Sequence, residues 1–204
     1  MADNIKTAVT LFLITLISGI LLGGVYEVTK EPIDRANNAA LYAAYEELLP
    51  GGKDYTSDEE AVKKANEALP SQNYGKVEIN DVVVGTDDSG KVLGYVVTST
   101  SNEGYGGAIK LTVGYQPGDD GKLTSTGISF LSISETAGLG MNAEKPEFKD
   151  QFKGKTSEPL QLTKSGNASG QEINAMSGAT ITSTAVTNAV NAANYTVTNC
   201  LTQQ

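Results

Sequence analysis

Between Thr7 and Tyr26 the chain carries no charged side chain, and Leu11, Phe12, Leu13, Ile14, Leu16, Ile17, Ile20, Leu21 and Leu22 leave no side of a helix polar. A helix of this kind has no polar face to turn toward water, so it cannot behave as an amphipathic surface helix. About 20 such residues match the hydrocarbon thickness of a bilayer. Residues 1–30 are therefore expected to form an N-terminal transmembrane anchor. A cleaved secretory signal would have a shorter apolar region, ~7–15 residues, ending at an Ala-x-Ala-like site, and that site is missing here. Lipoprotein processing would need a cysteine just after the run, and the single cysteine is Cys200. Orientation is not fixed by charge, because the α-amine and Lys6 before the span are matched by Lys30 and Arg35 after it. Ser18, Gly19, Gly23 and Gly24 suit close packing on a second membrane helix.

With 204 residues in total, the rest of the chain suffices for one soluble domain with a real core. Glu31 to Leu49 reads as a helix with Ile33, Ala36, Ala40, Ala44 and Leu48 near one face, ended by Pro50-Gly51-Gly52. A second helix is expected from Ser57 or Asp58 to Leu69, with Ser57 as N-cap and Glu60 completing a capping box. Glu59, Glu60, Lys63 and Lys64 read as its solvated face. These two helices make residues 31–75 a helical linker.

From Val77 the period shortens. Val77 to Val84 and Val92 to Thr98 flank a turn at Asp87-Asp88-Ser89-Gly90, and Ile109 to Tyr115 and Leu123 to Ile133 flank Pro117-Gly118-Asp119-Asp120-Gly121. Both pairs read as hairpins of an antiparallel sheet. Pro146 to Phe152 is expected as a short helix. Thr182 to Thr198 is expected as a longer one, with Val186, Ala189, Val190, Ala193 and Val197 inward. The fold class is α+β, with residues 76–204 forming a domain of antiparallel sheet packed on helices.

Composition removes several functions. A formal charge of −9 and the lack of any basic stripe argue against a nucleic-acid partner. One cysteine permits no internal disulfide and no iron–sulfur or zinc cluster, and the chain has no histidine at all. Catalysis by a Ser-His-Asp or Cys-His set and haem ligation by histidine are excluded with it. The aspartate pairs at 87–88 and 119–120 fit no EF-hand loop and read as turn residues.

Met176-Ser177-Gly178-Ala179-Thr180-Ile181-Thr182-Ser183 sets hydroxyls among small residues at the expected start of the last helix. Two readings fit. Thr182 or Ser183 can serve as an ordinary N-cap. Alternatively a phosphate esterified to Thr180 would sit at a helix N-terminus, where unpaired N–H groups and the dipole favour an anion.

The second reading matches a resemblance. Ser177-Gly178-Ala179-Thr180 resembles the attachment motif of the FMN-binding domain family, in which a dedicated flavin transferase joins FMN to the threonine by a phosphoester. The resemblance implies that Thr180 bears covalent FMN, with Ser177, Gly178 and Ala179 as motif neighbours. The family carries Asp three residues before the serine, where this chain has the amide of Asn174. Ser134 to Gly140 resembles the family's flavin-lining Glu-Thr-Pro-Gly-Leu-Gly loop, with Ala137 in place of proline. By resemblance, Glu135, Thr136, Gly138 and Leu139 are expected beside the ring. A looser likeness at Gly104 to Lys110 places Gly107, Ile109 and Lys110 there as well, and Phe148 to Lys155 also resembles the family.

What the resemblance implies is an electron carrier rather than a catalyst acting alone. Members serve in Rnf-type complexes linking ferredoxin and NAD to Na⁺ or H⁺ movement, alongside a second flavin-bearing membrane subunit and iron–sulfur subunits. Others belong to the sodium-pumping NADH:quinone reductase, as its C subunit. The implied location is the cell membrane, with the domain extracytoplasmic. A cofactor-free, membrane-tethered binding module is the alternative of another class.

Overall fold

The structure is a computed structural model that describes residues 2–118 and 121–202, with the side chains of residues 2–5, 7–8 and 26–38 outside the description. Ile33 and Ala36 of the expected helix face, and the Asp119-Asp120 turn, thus lie outside the described residues. Two compact units divide the chain, Met1–Leu41 and Tyr42–Gln204.

The first unit is helical throughout its described length, as part of α1 (Ala2–Leu48), which runs on without a break where the anchor was expected to give way to a separate helix. Its large apolar side chains from Val9 to Val25 are exposed. Among the described residues, no helix is long and apolar enough to cross a membrane. That departs from the span expected over residues 7–26.

In the second unit, β1 (Asp54–Ser57), β2 (Val77–Thr86), β3 (Val92–Ser101), β4 (Ile109–Pro117) and β5 (Leu123–Ser132) form one antiparallel sheet in chain order. Both expected hairpins are present. The β2–β3 turn closes as an Asx turn, in which Oδ1 of Asp87 accepts from the amides of Ser89 and Lys91 at 2.8 and 3.1 Å. β1 is an addition that sequence pattern missed, since Asp54-Tyr55-Thr56-Ser57 has only one apolar residue. A small parallel pair, β6 (Gln161–Thr163) and β7 (Glu172–Asn174), is likewise too short to show a period.

α4 (Thr180–Asn199) packs on one face of the sheet, and all five residues predicted to face inward are buried. The sheet answers with Val82, Val84, Val97, Leu111, Val113 and Ile128, one from every second position. α4 is also held by polar bonds. Asn191 donates Nδ2–H to the Leu160 carbonyl at 3.0 Å and accepts from the Leu160 amide at 2.7 Å, so a side chain stands in for a strand neighbour.

α2 (Glu59–Ala68) is capped by Asp58, not Ser57: Oδ1 of Asp58 accepts from the Ala61 amide at 3.0 Å. Ser57 Oγ instead donates to Asp81 at 2.6 Å. Asp58 also receives both the amide and the hydroxyl of Thr202, a contact 144 residues away that no local pattern encodes.

The opposite face of the sheet is covered by the last turns of α1. Leu48 and Leu49 rest where two cross-strand glycine pairs, Gly85↔Gly94 and Gly114↔Gly127, leave a shallow bed. A Cβ on Gly114 would lie 2.7 Å from that of Leu48, and one on Gly94 only 2.0 Å from the Tyr115 carbonyl oxygen. Thr126 locks the seat by donating its hydroxyl to the Leu48 carbonyl at 2.6 Å.

Candidate functional site

α4 begins two residues earlier than its pattern suggested. Thr180 is its first residue, Ala179 occupies the cap position without any side-chain cap bond, and the Ser183 amide is the first to reach back, to the Ala179 carbonyl at 3.0 Å. In such a turn the amides of Thr180, Ile181 and Thr182 have no intrahelical partner. The expectation that Thr182 or Ser183 caps the helix is therefore corrected. Both are buried inside its first turns. Ser183 has another task. Its hydroxyl accepts from the Met176 amide at 3.0 Å and donates to the Ala179 carbonyl at 2.9 Å, fastening the 176–179 turn onto the helix. Gly178, at φ +74°, supplies the left-handed residue that the turn needs.

This helix end opens onto a cavity of about 500 Å³ lined by Tyr105, Glu135, Thr136, Leu139, Gly140, Gly178, Ala179, Thr180, Ile181 and Thr182. Two stretches distant in sequence, 135–140 and 178–182, thus meet at one cavity. Three of the lining side chains are exposed and apolar in body: Tyr105 at 71%, Ile181 at 54% and Leu139 at 44%.

The 134–142 loop keeps its shape without the proline that Ala137 replaces. The Thr136 carbonyl accepts from the amides of Leu139 and Met141 at 3.1 and 3.2 Å, and Asn142 Nδ2 donates to the Gly138 carbonyl at 2.8 Å. Glu135 works as a clamp between loops. Its Oε1 accepts from the Gly106 amide at 3.2 Å, and a Cβ added to Gly140 would fall 2.6 Å from its Oε2 and 2.7 Å from the Thr182 hydroxyl. Gly140 is required there because a side chain would have no volume to occupy.

Other expected site residues lie elsewhere. Ile109 is fully buried in the core. Lys110 alternates with it and shares a face with Thr112 and Gly114, the face away from α4. Gly107 and Gly138 are exposed loop residues outside the lining, and Ser177 lines a neighbouring cavity of about 410 Å³ with Lys145, Gln151 and Asn174. Asn174 replaces the family's carboxylate yet still accepts a hydrogen bond, from the Ala168 amide to Oδ1 at 3.1 Å.

Sequence reasoning did not single out Tyr105, Gly140, Ile181 or Thr182 as lining residues. Tyr105 carried a signal, an aromatic bracketed by Gly104 and Gly106 just before a strand. Ile181 carried another, as a large apolar residue out of phase with the inward stripe of α4.

A cavity at a helix N-terminus, with an anion-favouring pole, apolar walls and a volume within the usual ~300–1,000 Å³ of cofactor sites, defines a cofactor-binding domain. The sequence profile of the FMN-binding domain matches residues 104–194, which include every lining residue. The G subunit of the proton-translocating ferredoxin:NAD(+) oxidoreductase complex of Clostridium ljungdahlii is 46% identical over 108 residues, 53% of this chain and 55% of that protein, so this match spans about half of either chain. The G subunit of the Na(+)-translocating ferredoxin:NAD(+) oxidoreductase complex of Acetobacterium woodii is 32% identical over 91% of this chain and 87% of its own. The crystal structure of the C subunit of the Na(+)-translocating NADH-quinone reductase from Parabacteroides distasonis shares the fold, with a TM-score of 0.55 and 23% identity over 81% of this chain and 84% of that one. The chain belongs to the G-subunit family of Rnf-type ion-translocating oxidoreductase complexes.

Proposed function

We propose that this protein is the electron-carrying G subunit of a ferredoxin:NAD⁺ oxidoreductase complex that moves Na⁺ or H⁺, with FMN attached by a phosphoester to Thr180. One observation carries the reading: Thr180 is the first residue of α4, half-buried, at the mouth of the cavity that the Glu135 loop completes. An ester on its hydroxyl sets the phosphate against the unpaired amides of the first helical turn, where the helix dipole favours negative charge.

The residues present fit FMN. Gly178 and Gly140 leave room for close approach, Thr136 and Thr182 offer hydroxyls, and Leu139 supplies an apolar surface for a flat ring. FMN supplies the capacity to accept and release electrons singly. The protein supplies position, shielding and a field. Thr180 is then a tether, and no side chain here serves as a turnover catalyst.

The same reading makes residues 7–26 a single membrane anchor with the domain outside the cytoplasm. It is supported by the absence of charge from that stretch and by the exposure of its apolar side chains. A covalent link suits an extracytoplasmic domain, since FMN held by contacts alone would be lost by dilution. The partners in this reading are the other membrane and iron–sulfur subunits of the complex, and a flavin transferase for maturation.

Denatured protein from native membranes, run beside a Thr180→Val variant, tests the tether. Flavin fluorescence that survives denaturation in the parent and vanishes in the variant is expected, with the FMN mass on the Ser177–Ser183 peptide. An unmodified peptide and a dark band would sink the reading.

A further inference from the structure

We propose that Gln151 is a positioning residue for flavin attachment: by holding the end of β7 it sets the turn that carries Thr180, and so governs how fast FMN is joined there. This deepens the functional reading above and rests on it. The run from Phe148 to Lys155, none of which lines the flavin cavity, lies against the chain that leads into the attachment turn. It starts in α3 (Pro146–Lys149) and continues as a tight helical turn, Asp150–Phe152. Phe148 and Phe152 are buried with ring centroids 5.4 Å apart, edge to face, and root the run in the core.

Gln151 reaches from this root to β7. Its Oε1 accepts from the Asn174 amide at 2.7 Å, and its Nε2 donates to the carbonyls of Asn174 and Glu147 at 3.4 and 3.3 Å. Lys155 donates its Nζ to the carbonyls of Gly170 and Glu172. β7 is thus gripped at its start and at its end by one run. Beyond Asn174 little slack remains before the helix. The Ala175 amide donates to the Thr163 carbonyl of β6 at 2.7 Å, the Met176 amide to Ser183 Oγ at 3.0 Å, and the Ala179 amide to the Met176 carbonyl at 3.1 Å. Loss of the Gln151 amide releases both backbone groups of Asn174, the first of these anchors.

Ester formation is the step that feels this. Oγ of Thr180 bonds to the phosphorus of an FMN phosphoanhydride such as FAD, the anhydride P–O bond breaks, the leaving phosphate takes the electron pair, and the hydroxyl proton passes to a base of the transferase. The oxygen must stand in line and within about 3–3.5 Å of the phosphorus, so a small displacement of the turn costs rate. Once the bond exists the tether holds by itself, and the same displacement loses no cofactor.

The test uses full-length protein made without the transferase, then mixed with purified transferase and FAD, with covalent load followed in time by mass on the Thr180 peptide. Gln151→Met keeps the length of the side chain and removes its hydrogen bonds, whereas Gln151→Glu keeps an acceptor for the Asn174 amide. Asn66→Ala is the control, because Asn66 makes the same pair of bonds to the backbone of Ile79, both at 2.8 Å, on β2 away from the cavity. At saturating acceptor, Gln151→Met is expected to be flavinylated at least several-fold more slowly than the parent, with an unchanged half-saturating concentration and the same final load. Gln151→Glu should recover part of that rate, and Asn66→Ala should keep the parent rate although its melting midpoint falls. A parent rate in Gln151→Met, equal slowing in Asn66→Ala, or an effect confined to the half-saturating concentration would overturn the role of Gln151 and leave the FMN reading standing. A parent peptide that takes no FMN would overturn both. Gln151→Glu retains the shortest of the three bonds, so the comparison with Asn66→Ala stands even where Gln151→Met does not fold.

Discussion

The hydroxyl of Tyr115, wholly buried on β4, donates to Oδ1 of Asn194 on α4 at 2.6 Å, and Nδ2 of Asn194 donates in turn to the Glu158 carbonyl at 2.8 Å. The helix that begins at Thr180 is thus pinned to the middle of the sheet near its far end. Asn194→Ala strands both partners, and its expected cost is about 1–3 kcal/mol for each buried group left without a bond. Denaturant unfolding of Asn194→Ala, Tyr115→Phe and the double variant would measure it. The double variant should lose less than the sum of the two singles, since Tyr115→Phe removes the stranded hydroxyl.

Alkaline pH should unfold this protein through the same tyrosine. Burial pushes the Tyr115 hydroxyl well above the ordinary 10.0, and burial followed by the Asp81 charge raises Tyr45 as well. Above pH 10.0 the unfolded chain has lost these protons while the folded one keeps them, so stability is full below that pH and falls as pH rises beyond it. Denaturation midpoints followed across this range should drop in the parent and drop less steeply in Tyr115→Phe. An equal slope in the two would refute the assignment.

Gly94→Ala should be among the most damaging single methyl additions. The new Cβ meets a backbone oxygen, that of Tyr115, at 2.0 Å, and Leu49 Cδ2 at 2.9 Å. Overpacking of this kind costs about 1–3 kcal/mol or more. Gly90→Ala, with nothing within 4 Å but a φ of +79°, provides a comparison in which only backbone strain is added. Thermal melts of the two should place Gly94→Ala clearly lower.

Glu135→Gln and Glu135→Ala should separate a clamp from a charge. Gln keeps an oxygen for the Gly106 amide, whereas Ala leaves that amide to water. Hydrogen exchange at Gly106 is expected to stay slow in Glu135→Gln and to become several-fold faster in Glu135→Ala, with slower flavin attachment in the latter. Fast exchange in both variants would mean that the carboxylate charge, and not the hydrogen bond, holds the loop.

The sheet was legible because β2 to β5 alternate β-branched and small residues around Gly- and Asp-rich turns, and the inward stripe of α4 was legible from its period. What escaped was set at a distance. Asp58 took the cap from Ser57 because Thr202 gives it further donors, and Ser57 was drawn away to Asp81. The start of α4 at Thr180 depends on the Ser183 bridge to Met176, which looks like any capping serine in a linear reading. Glu135, Thr136, Leu139 and the 178–180 run line one cavity, and each of the two motifs is contiguous in sequence. Ile109 and Lys110 do not line it, because strand alternation turns one into the core and the other to the far face.

The bed that receives Leu48 and Leu49 decides where the chain can be shortened. The compact unit begins at Tyr42, ahead of the glycine pairs' occupant, so the helix end belongs to the domain as fully as any strand. A soluble version that starts at Tyr42 keeps its lid. One that starts at Gly51, just ahead of β1, would bare Val83 and Val96 together with the four glycines, and the exposed strip would invite aggregation before any cofactor could be attached.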